Sequence, residues 1–291
     1  MDPYDDLLRG VRGEGAVFDL SVLSAPYAAR VATGAPLTLV APLRGEGWLI
    51  RNDAAHRMVA GEAAVVTGVE PFVFADSPDP GPATDIPDTA PPADLTGRTV
   101  LLTGSYEIGG ELARRLVRVL PPVLVVPDEH GCADMNGYLE FQLLHGRPGH
   151  QLVLDRLLDW LLVCTLRDWF SRPEAVVPGW YSALGDDVVG PALRAIHDSP
   201  AEPWTLARLA AASKVSRTTL TKRFTELVGE PPLAYLTGWR MALAADMLTE
   251  RAATVASVAR RVGYADAFGF STAFKRVLGV SPTAYRSAAS G

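Results

Sequence analysis

The C-terminal hundred residues contain one unit twice. The first copy runs from Thr205 to Leu236 and the second from Thr254 to Arg286. At an offset of 50, Phe224 matches Phe274, Gly229 matches Gly279, Pro232 matches Pro282, and Ala234-Tyr235 matches Ala284-Tyr285. At an offset of 49, Thr205 matches Thr254, Ala207 matches Ala256 and Ala210 matches Ala259. The slip of one residue falls where a turn is expected, the place at which an insertion disturbs packing least. An internal repeat restricts the architecture before any single motif is weighed.

Each copy reads as two helices and a turn. In the first, Leu206, Leu209 and Ala210 form one apolar face, and Ser213-Lys214-Val215 makes the turn. Ser216 is a good N-cap, and Leu220, Phe224, Leu227 and Val228 follow at helical spacing up to Gly229 as a C′ residue. The second copy repeats this with Val255, Val258 and Ala259, a Gly263-Tyr264 turn, Asp266 as N-cap, and Phe270, Phe274, Val277 and Leu278 before Gly279. Pro232 and Pro282 stand where the first helical residue tolerates proline. The pattern is a duplicated helix-turn-helix, whose second helix enters the major groove of duplex DNA. Ser216, Arg217, Thr218, Thr221, Lys222 and Arg223 are the candidate DNA contacts of the first copy, a cationic and donor-rich set. The second copy offers Ala267, Phe268, Gly269, Ser271, Thr272, Lys275 and Arg276, with an apolar tip. Direct base readout is therefore expected mainly from the first copy. The second should supply phosphate contacts and an apolar contact to a thymine methyl.

Residues 186–291 resemble the DNA-binding domain of the AraC/XylS transcription regulators. The residues that carry the resemblance include Trp204-Thr205-Leu206, Leu209-Ala210, Ser216-Arg217, Phe224, Gly229, Pro232, Trp239-Arg240-Met241, Val262-Gly263-Tyr264, Phe274-Lys275, Gly279, Ser281-Pro282 and Tyr285-Arg286. The resemblance implies a long helix, here Pro232 to Glu250, joining two units whose recognition helices enter successive major grooves. It implies base-facing roles for Thr218, Thr221 and Lys222, and for Ala267, Phe268, Gly269 and Thr272. Relatives often carry arginine at the position of Thr272, so readout by the second unit should be weaker here.

The net charge of -6 conceals a division. Residues 200–291 hold 12 Lys/Arg against 6 Asp/Glu, whereas residues 1–199 hold 15 Arg, no Lys and 27 Asp/Glu. A basic module on an acidic body suits a protein that grips phosphate with one end. The acidic start, MDPYDDLLRG, is not that of a signal peptide, and no apolar run reaches the ~20 residues of a membrane span. Cys132 and Cys164 are too few for a disulfide framework and fit a reducing compartment. A cytoplasmic location without membrane contact is expected.

Residues 15–75 read as short strands: Ala16–Val22, Leu37–Val40, Gly47–Ile50, Ala63–Val66 and Phe72–Phe74, with another from Thr99 to Thr103. This spacing suggests an antiparallel barrel or jelly roll. Asp76 to Gly97 is acidic and proline-rich and reads as a mobile loop. The stretch resembles the cupin-type N-terminal domain of one AraC subfamily, through Asp2-Pro3 with Leu7-Leu8, Val17-Phe18, Gly45 with Gly47-Trp48-Leu49, and Ala60-Gly61-Glu62. Where relatives place metal-binding histidines, this chain has Val40 and Phe72, and His56 stands alone in a loop. No catalytic residue, metal or cofactor is expected. The barrel reads as an apolar sensor pocket for a small-molecule effector, with Trp48 and Phe72 as wall residues, or as a scaffold that has lost its ligand. Gly104, Gly109 and Gly110 fit neither a dinucleotide fingerprint nor a P-loop, and read as a turn after a strand. Cys132 beside His130 reads as an exposed loop thiol, and Cys164 as core.

Gln151 to Phe170 is a helix with apolar residues around nearly its whole circumference, so it should be buried on more than one side. One side can pack on the barrel and the other on a second copy, with Tyr138-Leu139, Phe141 and Leu143-Leu144 contributing. The fold class expected is α+β with two domains: a cupin-like β-barrel with dimerisation helices over residues 1–180, and an all-α double helix-turn-helix over residues 204–291. Residues 181–203 form a linker and the first helix of the DNA-binding module. The function expected is a sequence-specific regulator of transcription that binds double-stranded DNA as a homodimer under control of a signal at the N-terminal domain. RNA polymerase is a further candidate partner. A cupin enzyme fused to a DNA-binding module, and a ligand-independent regulator, are the alternatives.

Overall fold

The computed structural model describes residues 17–85, 95–127, 137–142, 148–173, 175, 177–250 and 253–289. Asp2, Pro3, Leu7, Leu8, His130, Cys132, Leu143, Leu144 and residues 86–94 of the proline-rich stretch lie outside them. The chain falls into two compact units. One holds residues 11–108 and 120–176; the other holds Gly109–Val119 together with Val177–Gly291.

The first unit is built on ten strands: β1 (Val17–Leu23), β2 (Ala28–Val31), β3 (Leu37–Arg44), β4 (Glu46–Arg51), β5 (Ala54–Val59), β6 (Ala63–Thr67), β7 (Phe72–Ala75), β8 (Thr84–Asp85), β9 (Thr99–Tyr106) and β10 (Val123–Val126). They form two five-stranded sheets, β1-β9-β3-β6-β10 and β5-β4-β7-β2-β8. Where a barrel was expected, the described strands form two separate hydrogen-bonded sheets. A shared core of Leu23, Val31, Val40, Leu49, Met58, Val66, Phe72, Phe74 and Leu101 lies between them, drawn from both. Asn52 and Asp53, both with positive φ, make the tight turn between β4 and β5. His56, read from sequence as a loop residue, sits on β5 opposite Leu49. The proline-rich stretch also yields β8, which pairs in parallel with β2 through Ala29 and Arg30.

The two sheets explain two kinds of strand sequence. β3 is buried at every position but Arg44, and β6 and β9 are nearly so. The sheet that contains them meets the core on one face and a helix, α2 (His150–Phe170), on the other. A strand covered on both faces reads as a continuous apolar run. β4 instead alternates, because its second face is only partly covered. Tyr106 at the end of β9 donates its hydroxyl proton to the Leu158 carbonyl of α2 at 3.0 Å. Cys164 is buried in α2, as expected.

The second unit is helical. Its helices are α1 (Gly110–Val117), α3 (Gly179–Ser182), α4 (Val189–Asp198), α5 (Leu206–Ala212), α6 (Arg217–Val228), α7 (Pro232–Leu248), α8 (Val255–Arg261), α9 (Ala267–Leu278) and α10 (Pro282–Ala289). The Gly109-Gly110 pair, read as a turn, opens α1. Its N-terminus is capped by Asp246 of α7, whose carboxylate accepts from the Glu111 N–H. Leu112, Ala113 and Leu116 are buried, and Arg115 donates to the Gly238 carbonyl at 3.1 Å. Burial pushes the Asp246 carboxyl up, and the N–H groups of Glu111 and Leu112 oppose that. α7 carries buried residues from Tyr235 to Leu248 on more than one side, so it has no polar face. It shares one core with α8 and α9, formed by Met241, Ala245, Leu248, Val258, Phe270 and Phe274.

Candidate nucleic-acid interface

The two copies are built by the same local chemistry. Thr205 caps α5 by accepting from the Arg208 N–H at 3.2 Å. Its counterpart Thr254 caps α8 by accepting from the Ser257 N–H at 3.1 Å, and Ser257 returns the bond to the Thr254 N–H. The chain then reverses. The Val215 N–H reaches the Ala210 carbonyl at 3.0 Å, and the Tyr264 N–H reaches the Ala259 carbonyl at 2.9 Å. Lys214 and Gly263 occupy the left-handed turn position, with φ of 55° and 84°. At Gly263 a Cβ would lie 2.4 Å from the Ala201 carbonyl oxygen, so a side chain has no room. The register slip now has a place: Ser216 follows Val215 directly, whereas Ala265 intervenes between Tyr264 and Asp266.

Both recognition helices start on the caps expected. Ser216 accepts from the Thr219 N–H at 3.1 Å, and Asp266 accepts from the N–H groups of Phe268 and Gly269 at 2.9 and 2.7 Å. Both end on a left-handed glycine, Gly229 or Gly279. Each buries a phenylalanine edge-on against a tyrosine of the following helix. The Phe224–Tyr235 and Phe274–Tyr285 centroids are 5.7 Å apart in both copies.

What α6 turns outward differs from what α9 does. Leu220 and Phe224 hold α6 to the core, leaving Ser216, Arg217, Thr218, Lys222 and Arg223 exposed and Thr221 half-buried. Lys222 is 80% exposed and 4.0 Å from Glu226. The Thr221 hydroxyl donates to the Arg217 carbonyl, which leaves its oxygen free to accept. Arg223 is held elsewhere: Nε and Nη2 both donate to Asp186 Oδ2, at 3.1 and 2.9 Å. Burial pushes the Asp186 carboxyl up. Hydrogen bonds from the Val189 N–H, the Arg223 guanidinium and the Val188 N–H outweigh this and hold it below the usual carboxylate value. Arg223 therefore ties α6 to the start of α4, a role the sequence did not suggest.

On α9, Phe270, Ala273 and Phe274 face inward, and Phe268 stands out at 83% exposure. Thr272, Lys275 and Arg276 are exposed, whereas Ser271 is half-buried and donates its hydroxyl proton to the Ala267 carbonyl at 2.7 Å. Thr272 donates likewise to the Phe268 carbonyl at 3.0 Å. The expected residues of each copy are thus gathered on one helix each. Arg217, Thr218 and Lys222 keep side chains free to reach out, while Arg223 and Ser271 are directed back to the protein.

The N-terminal candidates are placed differently from one another. Phe72 lies in the core between the sheets. Trp48 alternates with the core residue Leu49 along β4 and lies half-buried on the other face of that sheet. Neither lines the open cavity whose walls include Asp19, Arg30, Asp85, Thr103, Ser105 and Glu107. Among the described residues, no three or more His, Cys, Asp or Glu are gathered closely enough to hold a metal ion. No helix among them is long and apolar enough to cross a membrane.

Comparison with known proteins agrees with this division. Residues 2–171 match a family described as Cupin, and residues 209–288 match a helix-turn-helix domain. The chain is 33% identical to a putative AraC-like transcription regulator of Streptomyces lividans, over 98% of each chain. It is 39% identical to another from Streptomyces antibioticus, over 64% of this chain and 63% of that one. Among solved structures, ToxT from Vibrio cholerae O395 aligns over 95% of this chain and 98% of its own, with a TM-score of 0.37 and 11% identity. The expected family is therefore the observed one: the chain belongs to the AraC-like transcription regulators, with a cupin N-terminal domain and a helix-turn-helix C-terminal domain.

Proposed function

We propose that the protein reads specific DNA sequences chiefly through α6, and that a small-molecule effector at its N-terminal domain controls which sites it occupies. The observation that carries the reading is the unequal dressing of two matched helices. Arg217, Thr218 and Lys222 stand exposed on α6, whereas α9 presents Phe268 and Thr272 with Lys275 and Arg276 behind them. Arginine and lysine reach guanine O6 and N7 in the major groove, and threonine accepts or donates to several base edges. Phe268 suits a thymine methyl, and Lys275 and Arg276 suit phosphates.

The protein would act in the cytoplasm as a homodimer, with RNA polymerase as its further partner. Support for the second copy comes from Leu152 and Trp160 on α2 and from Tyr138 and Phe141 on the helical segment at residues 137–142, all exposed. Control would be a shift between two arrangements of the protein, biased by whichever one the effector binds better. α1 suits the transmitting element: β9 runs through Glu107 and Ile108 straight into it, and Asp246 fastens it to α7.

Titrating a labelled duplex with the full chain at several salt concentrations tests the reading. Affinity should fall steeply with salt through counterion release, and Arg217→Ala should weaken binding by on the order of tenfold. Binding that ignores both salt and Arg217→Ala would contradict it.

A further inference from the structure

Phe268 is the most exposed large apolar side chain among the described residues, at 83%. An isolated exposed ring is ordinary on a protein surface; the place of this one is not. Phe268 is the second residue of α9 and, at the offset of 50, matches Thr218 of α6. The N-terminal side chains of the second helix of such a motif face base edges. Phe270 and Phe274, not Phe268, fill the core beneath α9. Ala267 and Gly269 flank the ring with only a methyl group and a hydrogen, so it projects beyond its neighbours.

Hydrogen bonding narrows what this tip can read. Asp266 takes the N–H groups of Phe268 and Gly269 at 2.9 and 2.7 Å. Ser271 and Thr272 spend their hydroxyl protons on the Ala267 and Phe268 carbonyls at 2.7 and 3.0 Å. The cations Lys275 and Arg276 stand about two turns beyond Phe268. Guanine O6 and N7, adenine N7 and thymine O4 all require a donor from the protein. The C5-methyl group of a pyrimidine requires none, because its contact rests on dispersion and on removing apolar surface from water. The matching stretch of α6 differs in supplying donors, from the exposed Arg217 and Lys222.

We propose that Phe268 makes α9 a reader of one pyrimidine C5-methyl group, which accepts thymine and 5-methylcytosine alike and disfavours unmethylated cytosine. The proposal deepens the DNA reading given above and rests on it. Thymine and 5-methylcytosine differ at C4, which carries an oxygen in one and an amino group in the other. The ring of Phe268 addresses neither group. Their methyl groups occupy the same place in the major groove and present the same apolar surface to the ring. Cytosine with hydrogen at C5 leaves that surface out. The methylation state of a cytosine in the second half-site therefore enters the affinity, without any change in the base sequence.

Binding of the full chain to a duplex that it selects from a random library tests this, with each thymine replaced in turn by deoxyuridine, which lacks only the methyl group. At least one replacement should weaken binding roughly fourfold, as expected for one methyl group taken out of contact. In Phe268→Ala that replacement should have no effect, and Phe268→Leu should keep part of it. Both changes are at an exposed position and should leave folding intact. A cytosine–guanine pair at the same position should bind weakly, and 5-methylcytosine there should restore the affinity of thymine. The proposal is overturned if no thymine is sensitive, if every sensitivity survives Phe268→Ala, or if 5-methylcytosine binds no better than cytosine. Lys222→Ala on the same duplexes separates the two readings. Tight binding that depends on Lys222 without any methyl effect removes this inference and leaves the reading through α6. A methyl effect that is lost in Phe268→Ala, in a protein indifferent to Lys222→Ala, supports this inference and removes the primacy of α6. No selected duplex even at low salt would overturn both.

Discussion

The two helix-turn-helix copies share a scaffold and differ in what they offer a partner. Caps, turn bonds, terminal glycines and the buried Phe–Tyr contact recur with nearly the same geometry. The outward side chains do not recur: Arg217, Thr218 and Lys222 have no chemical counterparts at Ala267, Phe268 and Thr272. The two copies share the residues that fold the unit and differ in those turned outward. A protein with one strong and one weak reader can depend on a single half-site for specificity and use the other to adjust affinity.

The shared scaffold is tested by deleting its repeated contact. Phe224→Ala and Phe274→Ala each remove a fully buried ring and should each destabilise the helical unit by about 3–5 kcal/mol in urea unfolding. A cost confined to one copy would break the equivalence.

Acid should separate the copies. His197, packed 4.0 Å from the Trp239 ring and bonded through Nε2 to the Tyr235 hydroxyl, serves the first copy. No histidine follows it in the chain. Burial lowers its pKa from 6.5 to about 3. The unfolded chain therefore takes up a proton that the folded chain refuses. Stability is full above pH 6.5 and falls as the pH drops from there toward 3, by up to about 1.4 kcal/mol per pH unit. Hydrogen exchange should show α4 and the first copy opening before the second, and His197→Gln should remove the slope. A parallel loss in both copies would contradict this.

The turn supplies a smaller contrast. Lys214 is strained at φ 55°, and Gly263 is not. Lys214→Gly should raise stability by up to about 1 kcal/mol, whereas Gly263→Ala should cost more than that, because of both its φ and the Ala201 carbonyl. Melting temperatures of the two variants should move in opposite directions.

What the sequence revealed follows the range of the interactions concerned. The repeat was legible because its caps, turns and apolar spacing act within a few residues. α1 was missed because its cap comes from Asp246, so Gly109-Gly110 looked like a turn. Arg223 looked free because Asp186 lies in a different segment. The open groove lined by Asp19, Arg30, Asp85, Thr103 and Glu107 was not legible, because strands from both sheets bring those residues together. Trp48 and Phe72 were paired as wall residues by their apolar character, but strand alternation sends them to opposite faces of one sheet.

Selection of bound sequences from a random duplex library tests the central claim most directly, with the wild-type chain beside Lys222→Ala and Thr272→Ala. The account predicts one enriched motif that loses preference at a defined position in Lys222→Ala, with a penalty of about 1–3 kcal/mol, and stays nearly unchanged in Thr272→Ala. A motif altered by Thr272→Ala and indifferent to Lys222→Ala would contradict it.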